Sequence, residues 1–160
     1  MSDFVDRYGG IYEHSPWVAQ QAEPVVGDST DIEEIARVMA DCVDNASREQ
    51  RLALIRAHPD LAGKAQVAGE LTADSTTEQS AAGLDQCTPG EYQRVQDLNQ
   101  AYHDRFGFPF VMAVRNSTRE QIIEAFESRL SNDHDVEFET ALIEIHKIAR
   151  LRLEAMEAES

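Results

Sequence analysis

Apolar residues recur at helical spacing along most of the chain. Phe4 to Tyr8 reads as a short helical piece closed by Gly9-Gly10. Ser15-Pro16-Trp17 reads as an N-cap with proline in the first helical position, opening a helix to about Ala22. Ala22 to Thr30, with Pro24 and Gly27, reads as a loop. Thr30 and Glu33 have capping-box spacing and are followed by Ile32, Ile35, Ala36, Met39 and Val43 on one helical face. Ser47 and Gln50 repeat the box before Leu52, Leu54 and Ile55. That helix is predicted to end near Ala57, because a residue before proline is pushed out of the α region. His58 therefore falls at a helix break, ahead of Pro59 and of a further short helix predicted to stop by Gly63 or Gly69.

The second half continues the pattern. Ser75 and Glu78 have capping-box spacing ahead of Ala81, Ala82 and Leu84. Thr88, Pro89 and Glu91 combine cap, first-turn proline and box, and predict a long helix with Tyr92, Val95, Leu98, Tyr102 and Phe106 inward. Gly107 to Val114 is the one run with strand character; with no second run to pair with, it reads as an extended segment crossing the core. Ser117 and Glu120 predict the next helix start, with Ile122, Ile123, Phe126 and Leu130 inward, and Asn132 to Asp135 a turn. The last helix is predicted from about Val136 to Met156. The pattern predicts an all-α fold, a single domain over residues 1–160 with six to nine helices, several short, and no substantial sheet.

Charge narrows the function classes. Thirty acidic residues against fourteen basic ones give a formal net charge of -16, which argues against a phosphate-binding surface and hence against nucleic acid as partner. Twelve of the basic residues are arginine, and the lysines are Lys64 and Lys147. An acidic, lysine-poor surface is the composition of a protein kept soluble at high salt. No apolar run approaches the roughly 20 residues that span a bilayer. The start lacks the basic and apolar parts of a signal peptide, and the end is not a peroxisomal address, so a cytoplasmic protein is expected. Cys42 and Cys87, far apart and without Cys-x-x-Cys spacing, read as reduced thiols.

Candidate chemistry centres on Ile55 to Leu84. His58 and Glu78 bracket a polar, small-residue stretch, as an acid–base site would require, yet both also read as helix punctuation. Ser75, Thr76, Thr77, Gln79 and Ser80 surround a helix start whose free N–H groups suit an anionic or carbonyl-rich ligand. On the last helix the inward stripe is Phe138, Ala141, Leu142, Ile145, Ile148, Ala149, Arg152, Leu153 and Met156. Glu137, Glu139, Glu144, Lys147, Arg150 and Glu154 are assigned to other faces. Arg152 is the one charge on that stripe: it snorkels, pairs with an acid, or points its fork into a cavity to hold a carboxylate or ureido group. His14, His58, His103, His134 and His146 show no metal-ligand spacing, and neither a nucleophile elbow nor a phosphate loop is present.

Several segments together resemble the OHCU decarboxylase family, which acts on 2-oxo-4-hydroxy-4-carboxy-5-ureidoimidazoline (OHCU) in the oxidative breakdown of urate. They are Tyr8-Gly-Gly-Ile-Tyr-Glu-His-Ser-Pro-Trp17, His58-Pro-Asp-Leu-Ala-Gly-Lys64 and the run Glu70 to Leu84. Leu98-Asn-Gln-Ala-Tyr102, Phe106-Gly-Phe-Pro-Phe110 and Ile148-Ala-Arg-Leu-Arg-Leu153 continue them in the family's order. The resemblance implies an all-α homodimer with no metal or organic cofactor. It implies His58 as acid/base, Glu78 and Arg152 as its catalytic companions, and substrate contacts at Pro59, at Ser75, Thr76, Thr77 and Gln79, and at Phe110, Val111, Met112, Ala113 and Val114. Arg150 lies two residues from Arg152, and the helical projection favours Arg152 as the family's arginine. His58, Glu78 and Arg152 are expected to line one pocket. Two alternatives stay open: a non-catalytic all-α binding module, and another ureide lyase or hydrolase on the same scaffold.

Overall fold

A computed structural model describes residues 3–61 and 72–158. Among these residues there are eight α-helices and one 3-10 turn, and no strand. The helices are α1 (Asp3–Tyr8), α2 (Trp17–Val26), α3 (Ile32–Asp44), α4 (Arg48–Arg56), α5 (Ala73–Ala81), α6 (Pro89–Phe106), α7 (Arg119–Arg129) and α8 (His134–Ala158), with the 3-10 turn at Leu84–Gln86. The all-α expectation holds. The short helix predicted between Pro59 and Gly69 lies outside the described residues beyond Leu61. The chain forms two compact units, residues 1–57 with 145–160, and residues 58–144.

In the first unit, α2 packs on α1 and α3. Its core is aliphatic: Val18, Ala19, Ala22, Ile35, Met39, Val43, Leu54 and Ile55, with Ile145 and Leu153 from the end of α8, are essentially inaccessible. α2 runs four residues past its predicted end, through Pro24 to Val26. A proline in the last turn removes one helical bond, while Ala22 and Val26 remain buried on the same face and Gly27, at φ 63°, closes the helix. Ser15 is not the cap either: Pro16 occupies that position, and the Ser15 hydroxyl donates to the Glu13 carbonyl at 2.9 Å.

The second unit is built on aromatic rings. Tyr102 of α6 meets Phe106, Phe108, Phe110 and Phe126 at centroid distances of 4.5–6.0 Å, and Phe110 stacks on Phe126 at 3.8 Å. Gly107 ends α6 at φ 78°, a left-handed conformation that glycine adopts without strain. The residues from Phe108 to Val114 then run in neither helix nor strand, with Phe108, Phe110, Val111 and Val114 buried. This is the core segment expected from its apolar run.

Two predicted capping boxes form as read, Ser47 with Gln50 and Thr88 with Glu91. Three starts are displaced. α3 is capped by Asp31 rather than Thr30, and α7 by Thr118 boxed with Gln121 rather than by Ser117 with Glu120. α5 is capped by Thr72, whose hydroxyl accepts from Ser75 N–H at 3.2 Å, so Ser75 is the third helical residue and Glu78 the sixth. Glu78 therefore closes no capping box.

Candidate functional site

α4 ends where its sequence requires, at Arg56 with Ala57 as C-cap, and delivers His58 into a turn. His58 is 7% exposed. The turn that follows is fastened from two helices. Gln79 of α5 donates through Nε2 to the Asp60 carbonyl at 3.4 Å. From α6, Asn99 Nδ2 donates to the Leu61 carbonyl at 3.0 Å, and His103 Nε2 meets Asp60 Oδ1 at 2.8 Å. A helical connection that costs so many side-chain hydrogen bonds fixes the backbone on which the histidine stands.

α5 turns one polar face inward. Ser75 and Gln79, one turn apart, are buried at 4% and 3% exposure, and Glu78 beside them is half-buried. Thr76 and Thr77 are exposed. The structure thus brings Ser75, Glu78 and Gln79 to one side of the helix and leaves the two threonines on the other. His58 and Asn99 are buried in the same unit.

The segment Phe110–Val114 is held by charge. Arg129 of α7, its side chain 11% exposed, donates through Nη1 to the Val111 carbonyl at 2.7 Å and lies 4.2 Å over the Phe110 ring. Its Nε donates to Glu137 Oε1 at 2.8 Å. Glu137 is wholly buried and also accepts from the Tyr102 hydroxyl at 2.6 Å and from Asn132 at 2.9 Å. Burial first, then the hydrogen bond to Glu137, pushes the Tyr102 phenol well above its ordinary range. On the far side of the segment, Glu144 Oε1 accepts from Ala113 N–H at 3.1 Å.

Glu137 corrects the sequence reading, which set it on the polar side of the last helix. It lies four residues before Ala141 and eight before Ile145, on the same inward line, and the helical projection contained that signal. The remaining stripe is as predicted, with Phe138 through Leu153 buried and Met156 half-buried.

In the first unit, Arg152 is 5% exposed and does pair with an acid: Nη2 donates to Glu13 Oε2 at 2.9 Å. Its Nη1 reaches the carbonyls of Gly10 and Ile11 at 3.4 and 3.3 Å. Arg150, half-exposed, pairs instead with Glu33 and with Glu154, so the helical projection separated the two arginines correctly. A second hydrogen-bond relay in this unit carries no local sequence mark: the Tyr12 hydroxyl meets His146 Nδ1 at 2.8 Å and His146 Nε2 meets Asp44 at 3.0 Å. It borders a groove of about 310 Å³ between α3 and α8, floored by Ala36, Ala40 and Ala149. A second groove of about 260 Å³ lies beside Tyr8, Ile32 and Met156. Arg152 lines neither. Among the described residues no cluster of His, Cys, Asp and Glu could hold a metal ion, and no helix is long and apolar enough to cross a membrane.

An all-α chain that buries a histidine in a fastened turn opposite a polar helix face has the parts of a small-molecule lyase. It belongs to the OHCU decarboxylase family, whose profile matches residues 1–154. A 2-oxo-4-hydroxy-4-carboxy-5-ureidoimidazoline decarboxylase from Haloferax volcanii is 46% identical over 150 residues, 94% of this chain and 86% of that protein. A uric acid degradation bifunctional protein from Bacillus sp. (strain TB-90) is 41% identical over 153 residues, 96% of this chain and 30% of the longer protein. Among solved structures, (S)-allantoin synthase superposes with a TM-score of 0.74 at 34% identity. The match covers 94% of this chain and 48% of that one, so this chain spans about half of its length.

Proposed function

We propose that the protein decarboxylates OHCU to (S)-allantoin without a cofactor, with His58 delivering the proton that sets the product's chirality. The observation that carries the reading is the match to the decarboxylase family along residues 1–154, which includes the His58 turn and the inward face of α5. In this reading the protein works in the cytoplasm as a homodimer, with residues 1–160 as one domain.

The chemistry asks for three things. The bond from C4 to the carboxylate breaks, carbon dioxide leaves, and the electron pair is taken up by the adjoining ring. A proton is delivered to the ring carbon bearing the ureido group, which becomes the stereocentre, the ring nitrogen that took the pair is protonated, and the C4 hydroxyl gives up its proton to become a carbonyl, so one proton net is gained. Only contacts stronger in the transition state than in the ground state speed this up. In this reading His58 delivers a proton to one face, and what supports it is that the turn carrying the residue is held by Gln79, Asn99 and His103. Glu78, released from any capping role, orients His58 or receives the C4 hydroxyl proton. Ser75 and Gln79 read polar edges of the ring from α5, with Pro59 at the rim; Thr76 and Thr77, exposed on the other side of that helix, take no part in this reading. Backbone groups of Phe110, Val111, Met112, Ala113 and Val114 complete the cradle. Arg152, which the family resemblance puts forward as the residue that grips a carboxylate or carbonyl, is buried and pairs with Glu13.

OHCU decays to allantoin unaided, so the assay must follow both rate and chirality. Freshly generated OHCU should lose its absorbance faster with the protein present, and circular dichroism should show one enantiomer accumulating. His58→Asn should lower the catalysed rate by about 10²–10⁴-fold and return a racemic product. Full rate with full chirality in that variant would remove His58 from the role. A folded wild-type protein that leaves the decay unchanged would favour the binding-module alternative.

A further inference from the structure

The peptide units of Phe110–Val114 are not equivalent. Among the described residues, the Ala113 amide is taken by Glu144, whereas the amides of Val111, Met112 and Val114 donate to nothing. An amide that the protein itself leaves without an acceptor is open to water or to a ligand, and Met112 is half-exposed. One of these amides differs from the others. The Met112 N–H shares its peptide unit with the Val111 carbonyl, and that carbonyl holds the Arg129 guanidinium at 2.7 Å.

A guanidinium on a carbonyl oxygen forms a charge-assisted bond. Because the C–N bond is partly double, drawing electrons toward the oxygen leaves the N–H at the other end of the unit a stronger donor. The effect is largest where water is excluded, and Arg129 sits between the Phe110 ring and the fully buried Glu137. Glu137 in turn is fixed by Tyr102 and Asn132, so the guanidinium has little freedom to leave the carbonyl.

We infer that Arg129 is a positioning residue of the decarboxylase site: it orients and polarises the Val111–Met112 peptide so that the Met112 amide receives the substrate atom that gains negative charge as carbon dioxide leaves. The inference rests on the decarboxylase reading and adds to it a donor that is preorganised by a charge the substrate never touches.

The test combines nuclear magnetic resonance of the ¹⁵N-labelled protein with kinetics. Titration with (S)-allantoin should move the Met112 amide proton downfield, and farther than any other amide of Phe110–Val114. In Arg129→Lys the free protein's Met112 resonance should lie upfield of its wild-type position and respond less to allantoin. Its kcat should fall about tenfold, less than the roughly 10²–10³ for loss of a whole oxyanion donor, with KM within about twofold. A Met112 amide unmoved at saturating allantoin, while other amides shift, overturns the inference, and the wild-type titration decides this even if the variant fails to fold. So does a folded Arg129→Lys with unchanged kcat, or one in which KM alone rises. Wild-type protein that neither accelerates OHCU decay nor responds to allantoin removes the decarboxylase reading itself, and the inference with it.

Discussion

Tyr12 and Tyr102 are both almost fully buried, and each hydroxyl has one partner, His146 for the first and Glu137 for the second. Burial is the main reason that both phenols are pushed above their ordinary range; Asp44 adds to it at Tyr12 and the bond to Glu137 at Tyr102. A folded-state pKa above the unfolded value means that the native chain holds its proton longer. Their contribution to stability is therefore fully present below about pH 10 and is lost as the pH rises above it, by about 1.4 kcal/mol per pH unit for each group. Urea unfolding between pH 9 and 11.5 should show this slope, with the phenolates of these two residues absorbing only as the chain unfolds. The double variant Tyr12→Phe, Tyr102→Phe should flatten it; an unchanged slope would assign the alkaline transition to other groups. At this scale the sequence showed which side chains are anomalous more readily than what they touch. Arg152 stood out as a charge on an apolar stripe, yet Glu13, 139 residues away along the chain, carries no local mark of being its partner. Glu137 is the converse case, a buried acid on the inward line whose residue type points the other way, because acids on a helix ordinarily face water.

Among elements, the helices themselves were legible and their starts less so. Ser47 and Thr88 cap as read because each is the cap-competent residue correctly spaced before its box partner. Where two such residues adjoin, as at Thr30-Asp31 and Ser117-Thr118, the choice depends on how the incoming chain arrives, and the second wins in both cases. The start of α5 is the functional instance. Thr72, Asp74, Ser75, Thr76 and Thr77 are all able to cap, and a local pattern cannot rank them. Since Thr72 caps, Ser75 and Gln79 are free to form the inward polar face and Glu78 is free of the box. Thr72→Ala should cost about 1 kcal/mol in urea unfolding, and Thr72→Ser should restore most of it. A Thr72→Ala variant as stable as the wild type would return the cap to Ser75 and bind Glu78 to its helix start again.

For the molecule as a whole, the surplus of acid is the governing fact. Thirty carboxylates face fourteen arginines and lysines, so sixteen negative charges are left uncompensated even where one arginine bridges two acids, as Arg150 does. The cations that do pair include Arg129, Arg150 and Arg152, two of which spend their charge on buried glutamates and do nothing for the surface. The exposed acids therefore repel one another in the compact state more than in the expanded one. Salt shortens the range of that repulsion from about 10 Å at 0.1 M to about 3 Å at 1 M. The melting temperature should accordingly climb by about 5 °C or more between 0.05 and 1 M sodium chloride, as a gain of roughly 2 kcal/mol would require in a chain of this size. Screening can be separated from a general salting-out of apolar surface by removing charge instead of adding ions. Glu49, Glu124 and Glu139 are exposed and form no ion pair among the described residues. Converting all three to glutamine should raise the melting temperature at low salt and reduce its rise with salt, leaving the 1 M value nearly unchanged. If the variant keeps the wild-type salt slope, or if the wild type melts no higher at 1 M than at 0.05 M, repulsion among surface carboxylates is not what limits this fold.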